Sequence, residues 1–320
     1  MKPFICLIFN PVSGQGNPNQ DLAMIVSLLG TEIDLDVQIT TLETTALDLA
    51  IRAVELGATA LIASGGDGTI SAIAEALIGK NIPLGIIARG TANGFANALG
   101  IPTTIAPACE TILSGNTRTV DIGLCNGKPM LLLAGIGFEA EVVNSVNREA
   151  KNWLGALAYL VASLGRLGNL KQFETKIETE AKIITVSAAA LTIANAAPPT
   201  SILAQGGANV IFNDGLLDLT IVATQTQAKA IAASFELLTS ALKGESVNCP
   251  EVGFMRAKYF SISTNPLQKV VLDGEIIGLT PVEVESIPNA LTIFVPRTEV
   301  LQPEEKLEGL PNLNITLKEI

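Results

Sequence analysis

Ser64-Gly65-Gly66-Asp67-Gly68-Thr69 has the makings of a phosphate-binding loop. It follows an apolar run and precedes a helical pattern. Consecutive glycines let the backbone approach a ligand closely and adopt positive φ. Amides at a helix start, aided by the helix dipole, favour phosphate. A carboxylate in such a loop cannot bind phosphate directly, because like charges repel, so Asp67 makes sense if it faces a magnesium ion or its waters. The plain alternative is a strand-to-helix turn that needs glycines, with Asp67 as a cap. A second loop, Arg89-Gly90-Thr91-Ala92-Asn93-Gly94-Phe95, also sits between an apolar run and a helical one. Thr91 and Asn93 can donate hydrogen bonds, and Arg89 offers a fork for phosphate. Taken alone, this loop is better explained by helix capping through Thr91 or Asn93. Asn10-Pro11-Val12-Ser13-Gly14 closes the first apolar run and alone is a plain turn. Turns alone explain the three together much less well.

Two acidic sites lie in the second half. Asn213-Asp214-Gly215-Leu216-Leu217-Asp218-Leu219 puts Asp214 in a turn and Asp218 in the strand that follows. Leu272-Asp273-Gly274-Glu275 is similar. A carboxylate beside an acceptor hydroxyl could take its proton during phosphoryl transfer. Asp-Gly is also a hairpin signal in its own right, which keeps a purely structural reading open at both.

The elements that must position these loops read as follows. Phe4–Phe9, Leu35–Ile39, Ala58–Ala63 and Pro83–Ile87 are short buried strands. Leu22–Leu29, Ala46–Leu56, Ile70–Ile78 and a start at Phe95–Leu99 are helical. Strands alternating with helices imply a parallel sheet with crossover connections. Ligands bind such sheets at the carboxyl ends of the strands, the edge where all three loops fall. Near Val120 the texture changes to strand and turn. Strands are expected at Ala181–Ala194, Ala208–Phe212, Leu217–Ala223, Tyr259–Ser263, Lys269–Leu272, Val282–Ser286 and Leu291–Val295, with helices near Trp153–Leu167 and Gln227–Leu242. That pattern argues for an all-β sandwich or barrel. The charged tail from Arg297 either packs back on the first domain or is loose.

Composition excludes several classes. Hydrophobic residues make up 48% of the 320, ample for a large core, so a disordered chain is excluded. The net charge of -11 disfavours general nucleic-acid binding and adhesion to anionic lipid by overall charge. With no His, imidazole bases, His triads and His-ligated zinc are excluded. Cys6, Cys109, Cys125 and Cys249 are scattered with no CxxC, which fits a reducing compartment. The apolar start is too short for a signal peptide, and Ile183–Asn213 is broken by Asn195, Pro198, Pro199, Gln205, Gly206 and Gly207, so no transmembrane segment is expected. The expected location is cytoplasmic, with transient membrane contact.

Taken together, FNPVSGQG, SGGDGTISAIAEAL, PLGIIARGTANGFANALGIP, GIGFEAEVV, NDGLLDL, VLDGE and PNALTIFVP resemble the soluble lipid kinases of the diacylglycerol kinase catalytic-domain family, which includes sphingosine kinases. The resemblance runs in order through residues 4 to 296. GGDGT also occurs in NAD kinases; the later NDGLLDL and LDGE pair points to the lipid kinases. The resemblance implies an α/β nucleotide-binding domain, of the NAD-kinase and diacylglycerol-kinase kind, over 1–122. A β-sandwich lipid-binding domain over 123–297 would follow, with the active site in the cleft between the domains; the tail 298–320 is left to pack on the first domain or stay loose. It implies that Asn10, Ser13, Thr41, Gly65, Gly66, Asp67, Gly68, Thr69 and Thr91 bind ATP, with Arg89 and Asn93 beside them. Glu275 would accept the proton of the lipid hydroxyl, and Asp67 would orient Mg2+ through water. A structural magnesium would sit on the Asp214 side chain and the carbonyls of Ile211 and Leu216. Two departures stand out. Gln15 replaces a basic residue and Gly94 an aspartate, while Arg89 stands where an uncharged residue is more usual and could supply the lost cation.

The expected reaction moves the γ-phosphate of ATP to a lipid hydroxyl, that of diacylglycerol or a similar lipid presented at a membrane surface. Met130–Phe138 and Trp153–Leu167 are candidates to line a lipid channel, with ordinary core as the alternative. Rivals are an NAD-kinase-like enzyme for a soluble acceptor, against which the DGE argues, and a nucleotide- or lipid-binding protein that has lost catalysis, which Gln15 and Gly94 favour. An exposed edge strand could pair two chains, leaving a homodimer open.

Overall fold

The computed structural model describes residues 4–14, 16–137, 172–198, 201–207, 210–223, 229, 232–233, 236–237, 239–240, 243–296 and 314–317. The chain divides into two units, Met1–Asp121 with Asn289–Glu299, and Ile122–Pro288 with Val300–Ile320. The expected helix at Trp153–Leu167 lies outside the described residues, and so does much of that at Gln227–Leu242.

In the first unit, strands and helices alternate: β1 (Ile5–Phe9), α1 (Pro18–Leu29), β2 (Leu35–Ile39), α2 (Ala46–Glu55), β3 (Ala60–Gly65), α3 (Asp67–Leu77), β4 (Leu84–Ala88), α4 (Gly94–Ala98) and α5 (Ile105–Leu113). The strands pair in parallel in the order β2-β1-β3-β4. β3 and β4 are buried along their whole length, which is why they read as unbroken apolar runs rather than alternating ones. Leu7, Phe9, Ile62 and Ile87 pack with Ile25 and Leu29 of α1 and with Ala108, Cys109 and Ile112 of α5. The helices start where local chemistry supplies caps. The Asn17 side chain accepts from the Asn19 and Gln20 amides with Pro18 in the first turn, and Thr45 and Asp48 form a capping box for α2. Because β1 lies between β2 and β3, the strand order reverses there, opening a crevice at the carboxyl ends of β1 and β3.

The second unit is built from strands: β5 (Thr117–Cys125), β6 (Lys128–Met130), β7 (Leu133–Gly137), β8 (Phe173–Glu178), β9 (Lys182–Ala188), β10 (Ala190–Ala194), β11 (Leu217–Val222), β12 (Val252–Ala257), β13 (Tyr259–Asn265), β14 (Lys269–Leu272), β15 (Glu275–Leu279), β16 (Val282–Phe294) and β17 (Asn314–Leu317). The chain enters this unit within β5 and leaves it within β16. One sheet runs β12-β11-β10-β7-β14-β15, all antiparallel. In the other, β17, β9, β8 and β13 lie side by side, and β13 pairs with the first residues of β16. Ile177, Ile184, Val186, Phe260, Ile262 and Val284 from this sheet share a core with Ala134, Ile136, Leu191, Leu219, Ile221 and Val270 from the other. β8 alternates buried and exposed residues, as a half-solvated strand must. The α/β-then-sandwich expectation holds.

Several details differ from the sequence reading. Val210–Phe212 is not strand; it is coil and turn leading to Asp214. The two expected strands Val282–Ser286 and Leu291–Val295 are one strand, β16, which tolerates Pro288 in its middle. Asn289–Glu299 clusters with the first unit, where Ile293 pairs in parallel with Leu84, rather than ending the second domain near 297. The described part of the tail, expected either on the first domain or loose, is β17, which pairs antiparallel with β9 of the second unit; the backbone groups of an edge strand supplied the partner. In the described part of Met130–Phe138, for which core was the alternative to a lipid channel, Met130, Ala134 and Ile136 are fully buried while Leu132 and Leu133 are half-buried. Among the described residues, no helix is long and apolar enough to cross a membrane.

Candidate active site

The three glycine-bearing loops meet at the carboxyl edge of the parallel sheet and are stitched together. The Asn10 amide donates to Ser64 O at 2.9 Å and the Arg89 amide to Gly65 O at 2.7 Å. Asn10 Nδ2 donates to Thr69 Oγ1 at 2.9 Å, and its Oδ1 accepts the Val12 N–H at 3.0 Å. Ser13 Oγ accepts the Gly66 N–H at 3.2 Å. The contacts are too close for larger residues. A Cβ on Gly90 would stand 2.8 Å from Gly66 Cα, and one on Gly65 would stand 2.6 Å from the Thr69 side chain.

α3 begins at Asp67 with Gly66 as its N-cap and no side-chain cap. Helix geometry therefore leaves the Asp67 and Gly68 amides without intrahelical acceptors at an end where the dipole favours negative charge. The half-buried Asp67 carboxylate accepts the Phe95 N–H through Oδ1 at 3.4 Å. One accessible carboxylate beside open amides suits a magnesium ion that keeps its waters and is held mainly by substrate phosphates. Gly68 and Thr91 are exposed on the same edge. Thr41 is exposed beyond β2, where its hydroxyl accepts the Glu43 and Thr44 amides. Asn93 is buried with φ +50, and its Oδ1 has no partner among the described residues.

Arg89 sits differently from the phosphate fork expected of it. It is only 6% exposed. Its Nε and Nη2 lie 3.0 and 2.9 Å from Asp21 Oδ2 on α1, and Nη1 donates to the Asn10 carbonyl at 3.0 Å. Its guanidinium also lies over the Phe9 ring, 4.3 Å from the centroid. The side chain thus braces the first loop against α1, and Asp21 neutralises its charge. Nothing in the sequence singled out Asp21, which reads as an ordinary first-turn acid. An open pocket of about 430 Å³ lies beside these loops, lined by Asp21, Arg89, Gly90, Asn93 and the start of α5.

In the second unit, Leu272-Asp273-Gly274-Glu275 is the tight turn between β14 and β15, with φ +46 at Asp273 and +93 at Gly274. Positive φ at both central residues marks a type I′ hairpin, for which Asp-Gly is preferred. The Asp273 carboxylate also accepts the amides of Leu131, Leu132 and Leu133 at 2.8, 3.0 and 2.9 Å. It clamps the entry to β7, a role that the turn reading missed. Glu275 opens β15 and is exposed.

Asp214 lies in the turn before β11. Its Oδ1 accepts the Leu216 N–H at 3.1 Å, and its Oδ2 is ion-paired with Arg256 of β12. Arg256 also holds Asp218 Oδ1 at 3.1 Å. Burial pushes Asp218 up to about 7 against the pull of Arg256. A divalent cation on Asp214 with the Ile211 and Leu216 carbonyls would compete with this guanidinium for the same carboxylate, so the residues do not fit the expected metal while Arg256 holds it. Among the described residues, no cluster of three or more Cys, Asp or Glu could hold a metal ion.

Comparison with known proteins shows two matches that follow one another along the chain. Residues 5–125 match the diacylglycerol kinase catalytic domain, and residues 133–295 match the YegS C-terminal NAD kinase β-sandwich-like domain. The Synechocystis protein sll0036 is 48% identical over 301 residues, 91% of this chain and 70% of its own length. A Citrobacter koseri protein named probable lipid kinase YegS-like is 31% identical over 92% of this chain and 96% of its own. The Bacillus subtilis diacylglycerol kinase is 29% identical over 93% and 98%. A Bacillus anthracis crystal structure of a candidate diacylglycerol kinase superposes with a TM-score of 0.78 at 27% identity, covering 92% of this chain and 95% of that one.

Proposed function

Because the chain belongs to the lipid kinases that join a diacylglycerol kinase catalytic domain to a YegS-type β-sandwich, we propose that it transfers the γ-phosphate of ATP to a lipid hydroxyl, that of diacylglycerol or a close analogue, in the presence of Mg2+. The observation that carries the reading is the knot of three loops at the β1/β3 crevice, with the open amides of Asp67 and Gly68 at its centre. Those amides and the Gly65–Gly66 backbone would hold the phosphates. Asn10, Ser13 and Arg89 act by keeping the loops in register, while Thr41, Thr91 and Asn93 border the nucleotide. Asp67 would hold Mg2+, which offsets the charge of the transferring phosphoryl group when bound. Glu275 takes the proton of the lipid hydroxyl as its oxygen bonds to the γ-phosphorus and the bond to the ADP oxygen breaks. Positioning and electrostatics carry most of the rate.

The test is an assay with labelled ATP, Mg2+ and total lipid extract, comparing wild type with Glu275→Gln and Asp67→Ala. A labelled lipid is expected from wild type. Exposed Glu275 can be changed without unfolding the chain, and its variant should be slower by about 10²–10⁴-fold with nucleotide affinity retained. Nucleotide binding without transfer to any lipid would sink the proposal and leave a binding protein marked by Gly94, whose position carries no carboxylate.

A further inference from the structure

Asp218 and Arg256 are direct cross-strand partners in β11 and β12. The guanidinium spans two carboxylates, with Nε donating to Asp218 Oδ1 at 3.1 Å and Nη2 donating to Asp214 Oδ2 in the preceding turn. The Arg256 and Asp218 side chains keep only 13% and 10% of their surface exposed, while the Asp214 side chain, at 26%, lies at the solvent edge of the bridge. Charge-assisted hydrogen bonds of this kind are roughly twice as strong as neutral ones, and removing the guanidinium would leave Asp218 an uncompensated buried carboxylate. The turn is closed from within as well, because Asp214 Oδ1 accepts the Leu216 N–H and Gly215 takes a positive φ of 78°.

This is the work that a hard cation does at an oxygen-lined turn: one positive centre draws a loop carboxylate and a strand together. A cation needs carboxylate oxygens at about 2.0–2.6 Å, and here the guanidinium already occupies that side of Asp214. We propose that in this chain Arg256 takes the place of a divalent cation at the Asp214 turn, tying the turn to β11 and β12 through Asp214 and Asp218 so that no bound metal is needed there. The inference is independent of the kinase reading.

Its consequence is a dependence that exists only when Arg256 is removed. Asp218 Oδ2 is buried with no partner among the described residues. Without the guanidinium, Asp214, Asp218 and the neighbouring carbonyls would form an oxygen-rich site of the kind hard cations take.

The experiment is thermal unfolding of the nucleotide-free full chain, first with chelator and then with excess MgCl2 or CaCl2 at matched ionic strength. The wild-type midpoint should not move. Arg256→Met should lose several degrees in chelator, regain part of that loss with either cation, and lose the recovery when Asp214→Asn is added. A wild-type midpoint that rises with cation, and no longer does so in Asp214→Asn, would overturn the proposal. So would an Arg256→Met midpoint indifferent to both cations. If Arg256→Met does not fold even with cation, the wild-type and Asp214→Asn pair decides alone: a cation-insensitive wild type upholds the proposal and a cation-raised one overturns it.

Discussion

Arg89 carries the largest change of role between sequence and fold. Beside a glycine loop, an arginine reads as a phosphate fork, and its identity alone offers no other partner. The fold supplies Asp21 from α1, the Asn10 carbonyl and the Phe9 ring, and these hold the guanidinium, whose buried Nη2 makes no hydrogen bond among the described residues. Arg89→Met is therefore expected to act first on stability. It strands Asp21 and frees the first loop, costing about 3 kcal/mol, the low end for a broken buried pair, because a quarter of the Asp21 side chain stays exposed. Chemical denaturation measures the cost, and a nucleotide titration should show weaker binding of the phosphates. Unchanged stability with lost nucleotide affinity would return Arg89 to the role of direct ligand. Asn10 and Ser13 were named as nucleotide-binding candidates by the family resemblance, since the turn that carries them reads alone as a plain one. What they bond to was not legible, since Thr69 and Gly66 are more than fifty residues away along the chain.

Two Asp-Gly turns show how an element can be read correctly and still hide its function. The sequence marked both as turns, and both are. Asp273-Gly274 is a two-residue hairpin whose carboxylate reaches back to three amides at the entry to β7. Asp214-Gly215 closes a long connection and pairs with an arginine on another strand. Local propensity cannot separate them, because the difference lies in which strand is brought alongside. Asp273→Ala is expected to leave three amides without their acceptor and to place a Cβ-bearing residue less tolerant of positive φ in the turn. The loss should exceed about 3 kcal/mol, given about 1.5–3 kcal/mol for each bond to a charged group. Transfer activity should fall although Glu275 is intact. Full activity in Asp273→Ala would show that the clamp does not position Glu275. Glycine contacts belong to this scale too. Gly90→Ala sets a methyl 2.8 Å from Gly66 Cα, backbone against backbone, and should weaken nucleotide binding by forcing the β3 and β4 loops apart. Unaltered nucleotide affinity in that variant would deny the close approach any part in binding.

For the whole molecule, net charge bears on how the proposed lipid acceptor would be met. At -11 the chain is repelled by an anionic surface, and the repulsion is screened beyond about 8 Å at physiological salt. Transfer to acceptor lipid in neutral vesicles should therefore slow as anionic lipid is added at low ionic strength, and recover as salt is raised. Faster transfer on anionic vesicles at low salt would point to a basic face that the overall charge conceals. Sequence alone determined that the chain has an α/β half followed by a strand-rich half, where the three loops fall, and that His chemistry is excluded. These features follow from periodicity, glycine spacing and composition, which are local or additive properties. Tertiary structure alone decided that β16 is one strand shared between the units and that the tail adds an edge strand to β9. It also decided that Arg89 and Arg256 are spent on internal carboxylates. Each of these depends on pairing between residues distant in sequence. A buried charge or an open strand edge must find a partner, but which partner it finds is set by the packing of the whole chain.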